Sequence, residues 1–179
     1  MTGTAKLSSL LVSGLFVATT MAGGTPAAHA DPGLPGASTA DVHADPSAEM
    51  AHLTAVRMAG HDGFDRMVLE FADHVPGYTV GYSPLPARED ASGFDIPLPG
   101  AGAVLQISLI PATAAGWGGD PQTYSGPWDL RANTGSITNF RSAGDFEAVL
   151  TWVAGVRTQQ PFRVLVLDGP PRLVVDVAS

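Results

Sequence analysis

Four histidines, His43, His52, His61 and His74, stand early in the chain beyond residue 30, with Asp45 and Asp62 near them. A zinc site needs three or four such ligands converging from fixed positions. Here successive histidines are 9, 9 and 13 residues apart, and no H-E-x-x-H pattern exists. The expectation is exposed turn histidines, with no metal and no cofactor. Nucleophilic chemistry is equally poorly provided for. The chain has no cysteine, its only lysine is Lys6, and no G-x-S-x-G elbow occurs. Glu89 and Asp90 are adjacent carboxylates, but neighbours in an extended chain point apart, which does not suit a glycosidase pair. The segment His61-Asp62-Gly63-Phe64-Asp65-Arg66 is the densest polar cluster. Asp65 and Arg66 could hold a charged ligand group; the plainer expectation is a turn followed by surface ion pairs worth about 0–1 kcal/mol. Trp117, Tyr124 and Trp128 could form a stacking platform for sugar rings, with Arg131 or Arg88 supplying charge. Alternatively they fold back to plug one end of the sheet, each burying about 150–250 Å².

The elements that must position these residues read as strands. The end of the chain, Pro161 to Val177, has two aliphatic runs around Asp168-Gly169-Pro170-Pro171, a β-hairpin signal. Phe162, Val164 and Val166 share one face, and Leu173, Val175 and Val177 share one face of the return strand. Leu165, Leu167 and Val174 make the other side apolar too, so the hairpin is expected inside a sheet and not at its edge. Upstream, period-two patterning marks strands over 52–58, 64–72, 78–83, 103–110, 136–141 and 148–156. Leu53 and Ala55 should face opposite to Val56 and Met58. Gly60 to Gly63 and Val75-Pro76-Gly77 are turn signals, and Gly144-Asp145 should begin a turn or a single helical turn. Segments 84–102 and 111–132 read as long loops, which in compact domains are usually functional or laid onto the core. The sum is an all-β fold with minimal helix: a β-sandwich or partly open barrel of about eight mostly antiparallel strands.

Residues 1–30 read as a secretory signal peptide: Lys6, an apolar run from Leu7 to Met21, and Ala28-His29-Ala30 as the cleavage site before Asp31. Residues 31–51, rich in Pro, Gly, Ala and Ser, read as a flexible tether, and 52–179 as the folded domain. No transmembrane segment is expected after cleavage. The formal net charge is −8 and becomes more negative when Lys6 leaves with the leader. That excess argues against nucleic acid and against anionic lipid, both of which need basic patches.

Asp65-Arg-Met-Val-Leu-Glu-Phe71, Pro76-Gly-Tyr-Thr-Val80, Arg88-Glu89-Asp90, Gly144-Asp-Phe-Glu-Ala-Val-Leu-Thr-Trp152-Val and the Pro171-Arg-Leu-Val-Val-Asp-Val177 ending together resemble the AMIN-like domain of secreted actinobacterial proteins. The resemblance covers about Leu53 to Val177. It implies a sandwich of two small sheets, and, through the related AMIN domain, envelope localisation and association with peptidoglycan. It implies no catalysis, since the amidase or secretin that often accompanies AMIN domains has no counterpart in this sequence. The expected function is therefore an exported, non-catalytic module that binds cell-wall glycan or a wall-associated protein. One competing reading is a carrier holding an apolar ligand between the sheets, in a pocket lined by Phe71, Leu105, Leu109 and Phe162. Another is a small hydrolase, which would need a His–carboxylate pair within hydrogen-bond reach in a cleft.

Overall fold

The computed structural model describes residues 1–2, 33–116, 118, 121–131 and 134–179. Trp117, and residues 3–30 of the expected leader, lie outside them. The described residues contain no helix and form eleven strands in two sheets. These are β1 (Val42–Ala44), β2 (Ala51–His61), β3 (Phe64–Phe71), β4 (Gly77–Ser83), β5 (Ala103–Ile110), β6 (Ala112–Thr113), β7 (Asp129–Arg131), β8 (Ile137–Phe146), β9 (Val149–Val156), β10 (Phe162–Leu167) and β11 (Arg172–Ala178). One sheet has six strands in the order β1-β4-β5-β9-β8-β7; the other has five in the order β10-β11-β3-β2-β6. Every pairing is antiparallel except the short β2–β6 contact. The all-β sandwich reading holds; the three strands beyond the expected eight are β1, β6 and β7, each of two or three residues.

Alternation builds the core. Met67, Leu69 and Phe71 of β3 and Leu173, Val175 and Val177 of β11 face Leu105, Ile107 and Leu109 of β5 and Leu150, Trp152 and Val156 of β9, all at most 1% exposed. Burying a side chain of this size is worth about 1.5–3 kcal/mol. The far side of the six-stranded sheet carries a second, smaller cluster. Ala87 and Ile96 of the 84–102 loop pack on Val104, Ala143 and Val153.

Three local expectations need correction. In β2, Leu53 and Val56 both point inward, because a bulge between Leu53 and Ala55 shifts the pairing with β3 and reverses the alternation. Gly144 and Asp145 do not start a turn; β8 runs through them to Phe146, and the reversal is made by Glu147 and Ala148 with φ of 50° and 64°. The closing hairpin is not interior: β11 is, but β10 is an edge strand, with Val166 and Leu167 exposed. Part of that edge is covered by residue 38, which pairs with Phe162 through two backbone hydrogen bonds of 2.9 and 2.8 Å. Within the segment read as a tether, Val42–Ala44 pairs with Tyr78–Val80 of β4. Its low apolar content hid this strand, whose stability comes from backbone pairing more than from burial.

Two buried carboxylates tie the sandwich. Asp65, 1% exposed, accepts hydrogen bonds from the backbone amides of Ser136 and Ile137 at 2.7 and 2.8 Å, and so joins β3 to the start of β8 in the other sheet. Asp176, fully buried, accepts from Arg66 at 2.6 and 2.8 Å and from Arg163 at 3.0 Å. In register these are Arg163, Asp176 and Arg66 on three adjacent strands. Both guanidinium groups also lie over the Phe64 ring, at 5.2 and 5.8 Å.

Burial pushes the Asp176 carboxyl up, but the hydrogen bonds and charges of Arg66 and Arg163 outweigh it and hold it below the ordinary carboxylate range. A carboxyl depressed by folding contributes stability that is full above its unfolded value of about 3.9, and loses it as pH falls through the folded value. Asp176→Asn should therefore cost about 3–5 kcal/mol at pH 7, as when one member of a buried pair is removed, and should flatten the acid limb below about pH 4. Urea unfolding across pH reads both; a variant as stable as the parent at pH 7 would show that the clamp contributes nothing. Separately, non-glycine residues at positive φ are strained. Glu147→Asn with Ala148→Gly, the preferred pair for a tight hairpin turn, should raise the melting temperature by about 2–4 °C, the equivalent of about 1 kcal/mol; an unchanged or lowered value would refute the strain.

Candidate functional site

The expected aromatic platform is largely interior. Tyr124 is 1% exposed and packs edge-on against Trp128 at 4.9 Å and Trp152 at 5.9 Å. Its hydroxyl donates to the Pro127 carbonyl at 2.6 Å, and burial pushes its pKa up. Trp128 stacks on Trp152 with centroids 6.0 Å apart and keeps 37% of its surface exposed. Trp152, on β9, is the anchor of this group. Its alternating apolar strand marked it as core, and nothing local in the sequence marked it as the partner of a distant loop. Arg131 is mostly exposed, 3.8 Å from Asp129. Arg88 donates to the Gly93 carbonyl at 3.0 Å and lies 3.3 Å from Asp95. Arg88 belongs to the loop that packs on the outer face of the six-stranded sheet, whereas Tyr124 packs on the inner-facing Trp152. The five expected residues are therefore not gathered on one surface: Tyr124 and Trp128 touch, Arg88 stands apart, and Trp117 lies outside the described residues.

The histidines do not converge, and among the described residues no group of three or more His, Asp or Glu could hold a metal ion. His61 stacks on Phe64 at 4.8 Å. His43 lies on β1 opposite Thr79. His52 Nδ1 is 2.9 Å from Asp73 Oδ2, and His74 Nε2 is 3.1 Å from Ser47 Oγ, beside a hollow lined by Ser47, Ala48, Glu49, Asp73 and His74. A His–carboxylate pair in a cleft thus exists. The Ser47 hydroxyl has two partners, the Glu49 carbonyl at 2.9 Å and His74 Nε2. His74 Nδ1 is 3.7 Å from Asp73, beyond a hydrogen bond. Asp73 is instead occupied by His52 and by the backbone amides of His52 and His74. Burial raises its pKa, but these bonds outweigh it and lower the value below the ordinary one.

A run of concave surface lies on the outer face of the six-stranded sheet. Three adjoining hollows, of about 570, 330 and 160 Å³, all share Gln106. Their floor is set by register. Thr79, Ser108 and Thr151 lie directly opposite one another on β4, β5 and β9, and form a row of hydroxyls across three strands. Gln106, one step along β5, donates from Nε2 to Ser108 Oγ at 3.1 Å. Thr151 is only 2% exposed yet lines the groove, and among the described residues its hydroxyl makes no hydrogen bond. Carboxylates stand at both ends. Asp41, just before β1, sits over Gly81, where a Cβ would lie 2.3 Å from Asp41 Oδ1. Asp90, on the 84–102 loop, sits over Gly144, where a Cβ would lie 2.6 Å from Asp90 Oδ2. Each glycine leaves the niche its aspartate fills. Among the described residues neither carboxylate has a hydrogen-bond or ion-pair partner.

The walls are held firmly. The Asp90 amide donates to the Ala143 carbonyl at 2.9 Å, and Ile96 to Ala87 at 2.7 Å, which fixes the loop against the sheet. Next to that loop, Asp145 Oδ2 accepts from the amides of Ala114 and Ala115, both at 2.8 Å, behind the β8–β9 turn. That turn presents Phe146 and Glu147 to solvent, with Phe146 56% exposed; Phe94 and Leu85 on the loop are exposed at 73% and 49%. Hydroxyls, an amide and carboxylates between exposed apolar side chains suit a polar, partly apolar ligand held by directed hydrogen bonds. Asp41, Thr79, Gln106, Ser108 and Thr151 were missed as site residues in the sequence. The only available signal was the short polar set on the outward face of β4 and β5, which reads equally as ordinary solvent-facing alternation.

Gly81→Ala should cost about 1 kcal/mol, since a methyl there collides with Asp41, and Asp41→Ala should relieve most of that cost. A double-mutant cycle in urea measures the coupling; additive effects would show that the carboxylate does not occupy the niche.

A protein-family model described as the AMIN-like domain matches residues 51–179, most of the chain. No curated protein matches it.

Proposed function

The chain belongs to the AMIN-like domain family, and from that premise we propose that it is an exported, non-catalytic module that binds cell-wall glycan or a wall-associated protein. The observation that carries this reading is the family match itself, which spans every strand from β2 to β11. The groove on the six-stranded sheet supports it: fixed walls and a polar floor suit recognition of a hydroxylated ligand. The acidic balance of the chain favours neutral or cationic partners over anionic ones. Of the residues expected to touch a ligand, Trp128, Arg131 and Arg88 offer exposed surface, and Tyr124 acts by holding Trp128 in place.

The competing readings draw less support. Phe71, Leu105, Leu109 and Phe162 are all at most 1% exposed within one packed cluster, where a carrier would need space between them. For a hydrolase, His74 lacks an orienting carboxylate: its Nδ1 stands 3.7 Å from Asp73, beyond a hydrogen bond. We assign residues 1–30 as a leader removed after Ala30, so that the exported protein starts at Asp31.

Sedimentation with insoluble peptidoglycan tests the binding: the protein should leave the supernatant in proportion to the polymer added, and an equal supernatant concentration with and without polymer would contradict it. Intact-mass measurement of the exported protein should give a chain beginning at Asp31; a mass that retains residues 1–30 would remove the export assignment.

A further inference from the structure

The geometry points to the outer groove of the six-stranded sheet as a subsite for a β-linked saccharide carrying a free ammonium group, with Asp41 and Asp90 as its charge readers. This rests on the wall-binding reading above and narrows it to one surface and one ligand chemistry.

The hydroxyls of Thr79, Ser108 and Thr151 repeat at the strand spacing of about 4.8 Å. That is close to the per-ring repeat of an extended β-1,4-linked glycan, so successive rings meet equivalent donors and acceptors. Thr151 is the telling member. Thr151 is 2% exposed and lines the groove, and with no hydrogen-bond partner among the described residues its hydroxyl is left to water or a ligand. Gln106 is half-buried beside it. Its Nε2 is committed to Ser108, which leaves its amide oxygen as an uncommitted acceptor on a residue that lines all three hollows.

The ends of the row give the charge. Asp41 and Asp90 are set over glycines that leave room for them, and neither is neutralised within the described structure. The cation nearest in sequence, Arg88, is turned to Asp95 and the Gly93 carbonyl. Glu147, at the same wall as Asp90, adds a third negative group. An N-acetyl or carboxyl substituent would meet unpaired carboxylates; an ammonium would pair with them through charge-assisted hydrogen bonds. Exposed Phe146, at the rim, supplies an apolar face for the ring C–H groups.

Titration calorimetry of the protein with the β-1,4-linked glucosamine tetramer and with its N-acetylated counterpart, at pH 6 and low salt, tests this. The free-amine tetramer should bind at least about tenfold more tightly, Asp41→Asn with Asp90→Asn should reduce that preference to less than about threefold, and Thr151→Val should weaken both ligands. Asp41 and Asp90 are exposed, so their variants should keep the parent's circular dichroism. Equal affinity for the two tetramers, or a preference that survives the double variant, overturns the assignment. So does a Thr151→Val variant that is folded and binds as the parent does. If the protein sediments with peptidoglycan but fails these criteria, the groove inference fails alone. If it meets them but does not sediment, the wall-binding reading fails and the amine-selective groove stands.

Discussion

Asp65 and Arg66 are neighbours on β3 whose side chains leave the strand on opposite faces, and the two directions of this fold's polar bracing begin with them. Asp65 goes inward and caps the backbone at the start of β8, linking the two sheets. Arg66 goes outward and meets Asp176, linking β3 to β11, while Arg163 completes the link to β10. Without cysteine, a domain of this size has no disulfide brace, and packing must be directed by such groups. A buried carboxylate with several donors is costly to misplace, so these contacts act on register as much as on stability. A one-residue slip of β11 would take Asp176 away from both arginines and put its apolar set on the wrong face.

That rigidity is what makes the outer face of the other sheet useful. A row of hydroxyls across three strands keeps its spacing only if β4, β5 and β9 hold register, and their inner faces are locked by Leu105, Ile107, Leu109 and Trp152 in the core. The 84–102 loop covers half of this outer face with its own apolar cluster and leaves the other half as a groove. The loop is long because it must lie across the sheet, and its prolines and glycines let it do so without forming another strand.

The strands with strong two-residue periodicity were legible, and so was the family to which they belong. What sequence could not supply was anything decided by partners far away in the chain. Asp65 and Arg66 stood out as a cluster, but nothing local indicated that Arg66 would pair with Asp176 and not with its immediate neighbours. The bulge in β2 was hidden because Leu53 and Val56 fit no single alternation, and only pairing with β3 decides where the extra residue goes. β1 was hidden because three residues with one valine give no periodic signal. Tyr124 and Trp128 were visible as aromatics in a loop, yet whether they faced solvent depended on Trp152, a strand residue that reads as core in any sequence. The groove was the least legible of all: Thr79, Ser108 and Thr151 are far apart in the chain and become a row only through the β4–β5 and β5–β9 pairings.

β1 lies outside the span that matches the family, which begins at residue 51. The matched span therefore contains the floor of the groove and the Asp90 side, while the Asp41 side is furnished by a short upstream ribbon clipped onto β4. The two margins of one recess thus hang on different supports: one is fixed by a loop anchored within the sandwich, the other by a three-residue ribbon held to β4 alone, so a change ahead of residue 51 would reshape one bank and leave the core untouched.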